Sequence, residues 1–146
     1  MDPQPPGALA FRPVTTADAA TVLRLYAQIT SDCGNIVSDL PAVLAGKDAI
    51  SLLLEVDGQP AGMIFGQIRT SLSSGKHLVL DDLVVDLPYR GRGLGRALIE
   101  HAIALAKSAG CDLVALDCSL VKPELHAFYE RLGFRHRMRH YSLFLR

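Results

Sequence analysis

The sequence predicts a mixed α/β (α+β) chain: one unit built on a central, mostly antiparallel sheet of six to seven strands flanked by about four helices. Three observations predict it. Apolar residues make up 49% and charged residues 21% of the 146, a globular balance in a chain long enough to bury roughly two-thirds of its unfolded surface around one core. The apolar period changes along the chain, with period-two runs in the middle and helical spacing on either side. No internal repeat or low-complexity tract interrupts it, so one unit over residues 8–146 is expected after a disordered leader over 1–7.

Residues 8–14 alternate loosely as a first strand. Thr15-Thr16-Ala17-Asp18 then supplies an N-cap with an acid three residues on, and Ala19, Val22, Leu23, Leu25, Tyr26 and Ile29 repeat at helical spacing, which predicts a helix over 16–30. Asp32, Gly34, Asn35 and Ser38 mark a loop, with a short helix expected from 40 to 46. Runs 50–56 and 61–71 are strand-like and are separated by Asp57-Gly58-Gln59-Pro60, so they should form a hairpin. After a turn at Ser73-Ser74-Gly75, residues 77–86 continue the meander. A helix follows over 94–109, with Leu94, Leu98, Ala102 and Leu105 as its stripe and Gly110 as its stop. Residues 111–117 form another strand, and 122–132 another helix, closed by Gly133. Residues 135–146 read as one or two closing strands.

Composition excludes several functions. Fifteen basic side chains cancel fifteen acidic ones, so nothing draws the chain to nucleic acid or to an anionic membrane. The longest apolar runs are far too short to span a bilayer. The start, Met1-Asp2-Pro3-Gln4-Pro5-Pro6-Gly7, lacks the basic residues and apolar core of a signal peptide, so a cytoplasmic location is expected. Cys33, Cys111 and Cys118 show neither a paired framework nor metal-ligand spacing, and no metal is expected. Arg135, Arg137 and Arg139 read as the solvated face of an edge strand.

The chemistry lies in the junction between strand 77–86 and helix 94–109. There the chain reads Arg90-Gly91-Arg92-Gly93-Leu94-Gly95-Arg96. Glycines at alternate positions let the backbone approach a ligand that a Cβ would hold away. Successive N–H groups at a helix start form an anion cradle, and Arg90, Arg92 and Arg96 add mobile positive charge suited to a diphosphate bearing a further phosphate. A nucleotide P-loop is excluded, because no Lys-Ser/Thr follows the glycines. A dinucleotide fingerprint is excluded by the third glycine's spacing and by the meander that precedes the loop.

These residues resemble the GNAT N-acetyltransferase family. Its acetyl-CoA motif, Arg/Gln-x-x-Gly-x-Gly/Ala after an apolar strand end, is similar to Arg90-Gly91-Arg92-Gly93-Leu94-Gly95 after Leu83-Val84-Val85. A second family feature, an aromatic-Tyr pair followed by Gly-Phe, is similar to Phe128-Tyr129-Glu130-Arg131-Leu132-Gly133-Phe134. The order of elements agrees over nearly the whole chain. The resemblance implies a sheet splayed at a cleft, where the pantetheine arm adds like a strand along the main chain of Leu83-Val84-Val85. It places the pyrophosphate on 91–96, with acetyl-CoA as cosubstrate. It implies transfer of an acetyl group to a primary amine of a small molecule or peptide by direct attack on the thioester.

An alkylamine with a pKa near ~10.4 is neutral in only about one molecule in a thousand at pH 7, so a base helps. Asp81 and Asp82 sit on the strand beside the implied acyl site, and alternation should point them to opposite faces. The resemblance favours Asp82 as base, against the plainer reading that both acids are solvated. It places Tyr129 near the CoA sulfur as proton donor to the thiolate, against a core tyrosine completing the Leu125/Leu132 stripe. A family Asn near the start of this helix is missing, and Ser119 or Lys122 stands in for that cofactor contact. By the same resemblance, loop 31–39 lines the acceptor cleft, and Asp32 and Asp39 suit a cationic amine. A non-catalytic acyl-CoA sensor is the rival reading, and a homodimer is a reasonable expectation.

Overall fold

In the computed structural model, which describes residues 7–145, the period-two runs become a sheet of order β1-β2-β3-β4-β5. Residues 1–6 of the expected leader lie outside the described residues. β1 (Leu9–Pro13), β2 (Ala49–Val56), β3 (Gln59–Ser71) and β4 (Gly75–Val85) are successive antiparallel neighbours, and β5 (Leu113–Leu116) follows β4. The hairpin expected at 57–60 forms on Asp57 and Gly58, whose φ angles are 49° and 81°, the left-handed pair that matches strand twist. Asp112 donates its backbone N–H to Lys76 O at 2.8 Å, tying the start of β5 to the start of β4.

The described residues divide into two units, the first ending at Ala115 and the second beginning at Leu116. In the first, α1 (Ala19–Tyr26) and α2 (Ile36–Ala45) cover one face of the sheet. Val22, Leu25 and Leu40 meet Leu53, Met63, Phe65 and Val84 there. α3 (Leu94–Ser108) covers the other face. Gly62 lets it sit close, since an added Cβ would lie 3.0 Å from Leu98 Cδ1 and 2.9 Å from Val84 O. Leu98, Ile99 and Ala102 are wholly buried, and truncating such a leucine to alanine typically costs about 2–5 kcal/mol. His101, at the edge of this helix, stacks flat on Phe11 with ring centroids 4.1 Å apart.

Four expectations are corrected. The 16–30 helix is a single 3-10 turn, Thr16–Asp18, followed by an α1 that stops at Tyr26. Its Thr15/Asp18 capping box forms as expected, but beyond Tyr26 the amide of Gln28 is engaged by the end of β4 instead of continuing a helical face. α2 begins at Ile36 rather than at 40 and runs through Pro41. Leu105 is 37% exposed at the edge of the α3 stripe, which Ile99 and Ala106 complete. Finally, among the described residues the sheet has five strands rather than six or seven, because 134–145 adopts no regular element. A strand exists only where a neighbour takes its N–H and C=O groups. Here no strand partner takes them: the segment's side chains bond locally, as His136 Nε2 does to Met138 O at 3.1 Å, or reach Asp117, as His140 Nδ1 does at 3.0 Å. Arg135, Arg137 and Arg139 are solvated as expected, though not on a strand.

In the second unit α4 (Pro123–Arg131) begins after Lys122 as N-cap. It closes with Gly133 N–H donating to Glu130 O and Phe134 N–H donating to Tyr129 O. The Tyr129 ring meets Phe128 and Phe134 edge-on, at 5.2 and 5.8 Å between centroids.

Candidate active site

β4 runs out at Val85, a 3-10 turn spans Leu87–Tyr89, and α3 starts at Leu94. Between them Gly91 and Gly93 hold φ of 79° and 78°. An L side chain at either position is strained, and an added Cβ at either would meet nothing within 4 Å. The bare backbone therefore borders open space. Ala97 is the first residue to bond back into α3, donating to Gly93 O at 3.1 Å. The N–H groups of Leu94, Gly95 and Arg96 thus precede the helical ladder, and they carry the positive end of a fifteen-residue helix. This arrangement fits a diphosphate.

The arginines divide their roles, which corrects the expectation of three mobile charges. Arg90 donates from Nε to Val85 O at 2.8 Å and from Nη2 to Gln28 Oε1 at 3.2 Å. The same Gln28 oxygen accepts from Leu87 N–H, while its Nε2 donates to Asp86 Oδ1 at 2.8 Å. Asp86, 5% exposed, also accepts from Arg24 Nη1 at 2.9 Å. Burial opposes its charge, yet the bonds from Gln28 and Arg24 prevail and hold its pKa below the ordinary carboxylate value. Gln28 is thus a brace for the turn that leads into the cradle. Arg92 lies over the Tyr89 ring at 5.5 Å, and Arg96 pairs with Glu100 at 2.7 Å on the exposed face of α3. Val84 and Leu94 are 2% exposed with side chains in the core, so only their main chain is available to a cofactor. Leu83 and Val85 are half-buried and paired across β3 with Ile64 and Gly62.

Next along β4 comes an irregularity that decides where Asp82 points. Gly66 pairs with Leu80 and Phe65 with Asp82, leaving Asp81 as an extra residue, a β-bulge. Leu80 lies on the Gly66 side of the sheet, the side that α3 covers. Without the bulge Asp82 would follow it there. With the bulge, Asp82 turns to the α1/α2 face beside Phe65 and lines a cavity of about 250 Å3. Tyr26 donates its hydroxyl to Asp82 Oδ1 at 2.6 Å. Burial, reinforced by that carboxylate, pushes the Tyr26 phenol up to about 12, so it remains a donor at neutral pH. Asp32, Asn35 and Asp39 form the rest of the polar wall, with Val22, Leu40 and Phe65 among the apolar surfaces.

In the second unit, burial raises the Tyr129 pKa, which keeps its hydroxyl protonated. Ser119 and Lys122 stand just before α4. Ser119 O takes a 2.6 Å bond from His126 Nε2, and Ser119 Oγ lies 3.4 Å from Val121 N. Among the described residues no cluster of His, Cys, Asp and Glu is placed to hold a metal ion, and no helix is long and apolar enough to cross a membrane.

The residues that pattern reading missed are Tyr26, Gln28, Asn35, Phe65 and Asp86. By spacing Tyr26 is one more apolar position of its helix, although a buried tyrosine hydroxyl demands a partner and so carries a signal. For Gln28 and Asp86 no local signal exists, since their meeting joins residues 58 apart.

The pattern of the acetyltransferase (GNAT) family matches residues 22–134, most of the chain. A probable glucosamine 6-phosphate N-acetyltransferase of Oryza sativa subsp. japonica is 37% identical over 103 residues, 66% of this chain and 59% of that protein. An aminoglycoside N(6')-acetyltransferase type 1 of Stenotrophomonas maltophilia is 28% identical over 129 residues, 85% of this chain and 84% of that one. The crystal structure of glucosamine-6-phosphate N-acetyltransferase from Arabidopsis thaliana matches with a TM-score of 0.77 at 25% identity, covering 95% of this chain and 99% of the other. Against the rice protein and its Trypanosoma brucei brucei counterpart, the chain spans 59% and 54% of their lengths. With the cradle after β4, the element order and this match over most of its length, the chain belongs to the GNAT acetyltransferase family.

Proposed function

We propose that this chain transfers an acetyl group from acetyl-CoA to the primary amine of a small molecule or peptide. The open cradle of Gly91, Gly93 and the first N–H groups of α3 carries this reading, because it fits the diphosphate of CoA in a family of acetyltransferases. The main chain of Leu83 and Val85 aligns the pantetheine arm, with Ser119 and Lys122 as further contacts. The amine nitrogen attacks the thioester carbonyl carbon, forming the amide C–N bond as the C–S bond breaks. Asp82 takes the proton the amine gives up, directly or through water, and Tyr129 supplies one to the departing thiolate and regains it from solvent. The products are an amide and the CoA thiol. Support for Asp82 is its place on the cavity wall, and for Tyr129 its aromatic-Tyr…Gly-Phe setting.

The reading is tested by comparing thermal stabilisation by acetyl-CoA, CoA, ATP and NAD, then following thiol release from acetyl-CoA over a panel of amines. Stabilisation by both CoA species, with thiol release that depends on an amine, is expected. Failure of both CoA species to stabilise the protein sinks the reading, and stabilisation without turnover on any amine would make the chain an acyl-CoA sensor. Relatives named for a phosphosugar and for aminoglycosides both support an amine-bearing small molecule. A cytoplasmic setting suits a reaction that draws on acetyl-CoA. A homodimer is supported by Met138, Tyr141, Leu143, Phe144 and Leu145, each 76–90% exposed, an apolar surface that a partner would cover. Light scattering decides it.

A further inference from the structure

The cavity beside Asp82 has a chemical character that narrows the acceptor. Its polar wall combines one amide, one phenol and three carboxylates, from Asn35, Tyr26, Asp32, Asp39 and Asp82, and among the described residues no lysine, arginine or histidine lines it. The rest is aliphatic and aromatic, with Phe65 only 5% exposed. A volume of about 250 Å3 falls below the roughly 300–1,000 Å3 of pockets for drug-sized ligands, so a small molecule or one end of a longer one fits.

The carboxylates are not equivalent. Asp82 is tied to Tyr26 at 2.6 Å on the strand that leads straight into Leu83 and Val85, so it faces the amine that reacts. Asp32 and Asp39 come from the α1–α2 connection and the first turn of α2. Both are exposed at the cavity's wall rather than sealed in the core. An acceptor that brought a phosphate or carboxylate into this space would meet three negative groups and no lining cation. One carrying a second ammonium would be held at both ends, with its apolar middle against Val22, Leu40 and Phe65.

From this we infer that the acceptor is a small dicationic amine, a primary amine and a second cationic group joined by an apolar spacer, and that anionic amines are rejected. The inference rests on the acetyltransferase reading and narrows its substrate.

Three amines of nearly equal length separate the far-end charge from everything else: cadaverine with a distal cation, n-pentylamine with none, and aminovalerate with a distal anion. Glucosamine 6-phosphate serves as the phosphorylated probe. With acetyl-CoA saturating, kcat/KM should fall in the order cadaverine, n-pentylamine, aminovalerate. The outer two should differ on the order of tenfold, as two screened charge contacts allow. Raising the salt should narrow the spread, since exposed charges are screened over about 10 Å at 0.1 M. An Asp32→Asn/Asp39→Asn double variant should compress the order while keeping its thermal stabilisation by CoA. As a readout without turnover, cadaverine should raise the melting temperature of the CoA complex more than aminovalerate does.

Preference for aminovalerate or glucosamine 6-phosphate, or an order the double variant leaves unchanged, would overturn the inference while leaving acetyl transfer intact. Absence of CoA stabilisation would instead remove the acetyltransferase reading on which the inference rests.

Discussion

Replacing Gly93 with alanine separates what the cradle costs the fold from what it does for the ligand. At φ of 78° an alanine carries the left-handed penalty of roughly 1–2 kcal/mol. Nothing lies within 4 Å of the added methyl, so no clash adds to it, and the free protein should melt about 4 °C lower. Gly58, in the β2–β3 turn, has φ of 81° and equally open surroundings, so Gly58→Ala should impose the same penalty and serve as the control. The two variants should differ only when CoA is present. A methyl on Gly93 holds the diphosphate off the neighbouring N–H groups. Weakening one charge-assisted hydrogen bond at ~1.5–3 kcal/mol raises the Kd on the order of 10- to 100-fold. At a CoA concentration 100 times the parent Kd, stabilisation of ~2.7 kcal/mol would fall to about 0.4 kcal/mol for a hundredfold loss. Thermal melts with and without CoA, backed by calorimetric titration, measure this. Equal CoA stabilisation of both variants would refute the cradle as the diphosphate site.

Tyr129→Phe should lower kcat on the order of 10- to 1,000-fold and leave the Kd for CoA unchanged in titrations, as loss of a proton donor requires; an unaltered kcat would return Tyr129 to the core. Gln28→Ala should lower stability by about 1–3 kcal/mol, because it strips a bond from buried Asp86. It should also raise the Kd for CoA severalfold by freeing Leu87 and Arg90; a thermal melt and a CoA titration check both effects. The Arg12 hydrogen bond lowers Asp18 to about 2, from an unfolded value near ~3.9. A depressed carboxyl contributes stability that is present above about pH 4 and lost as the pH falls through about 2. Because the Arg12 side chain is 38% exposed, screening reduces the contribution to ~1–2 kcal/mol. Urea melts from pH 6 down to pH 2 should show this slope in the parent and a flatter one in Asp18→Asn.

Much of this molecule could be read from local pattern, and the reason is physical. The hairpin at Asp57-Gly58, the cradle at 90–96 and the stop at Gly133 are each signalled by a few consecutive residues, in which glycines take the positive φ that the turn requires. The 134–145 segment shows the opposite case. Its composition suits a strand, but a strand is a relation between two segments, and the second was not in the pattern. The bulge at Asp81 is subtler. Leu78, Leu80, Asp82 and Val84 alternate without a break in sequence, so periodicity alone sends all four to one face. Pairing with β3 shifts the register after Leu80 and sends Asp82 to the face of Phe65 and Tyr26.

That register shift stands at the junction of the two halves of the proposed site. In the proposed site the contacts from Leu83 to Arg96 lie in one stretch and are carried by backbone, so distant side chains act on that stretch through braces such as Gln28. The proposed acceptor half is assembled from α1, the α1–α2 connection, α2, Phe65 and Asp82 beside the bulge on β4. Every polar contributor lies outside that stretch, and Asp82, which adjoins it, is bonded to Tyr26, 56 residues away. Substitutions over 31–39 can therefore alter the charge and width of the cavity while the cradle keeps its geometry. Relatives named for different acceptors are what such a division permits. On the proposed reading, acceptor choice in this chain falls to Asp32, Asp39 and the apolar wall, and not to the loop that makes the family recognisable.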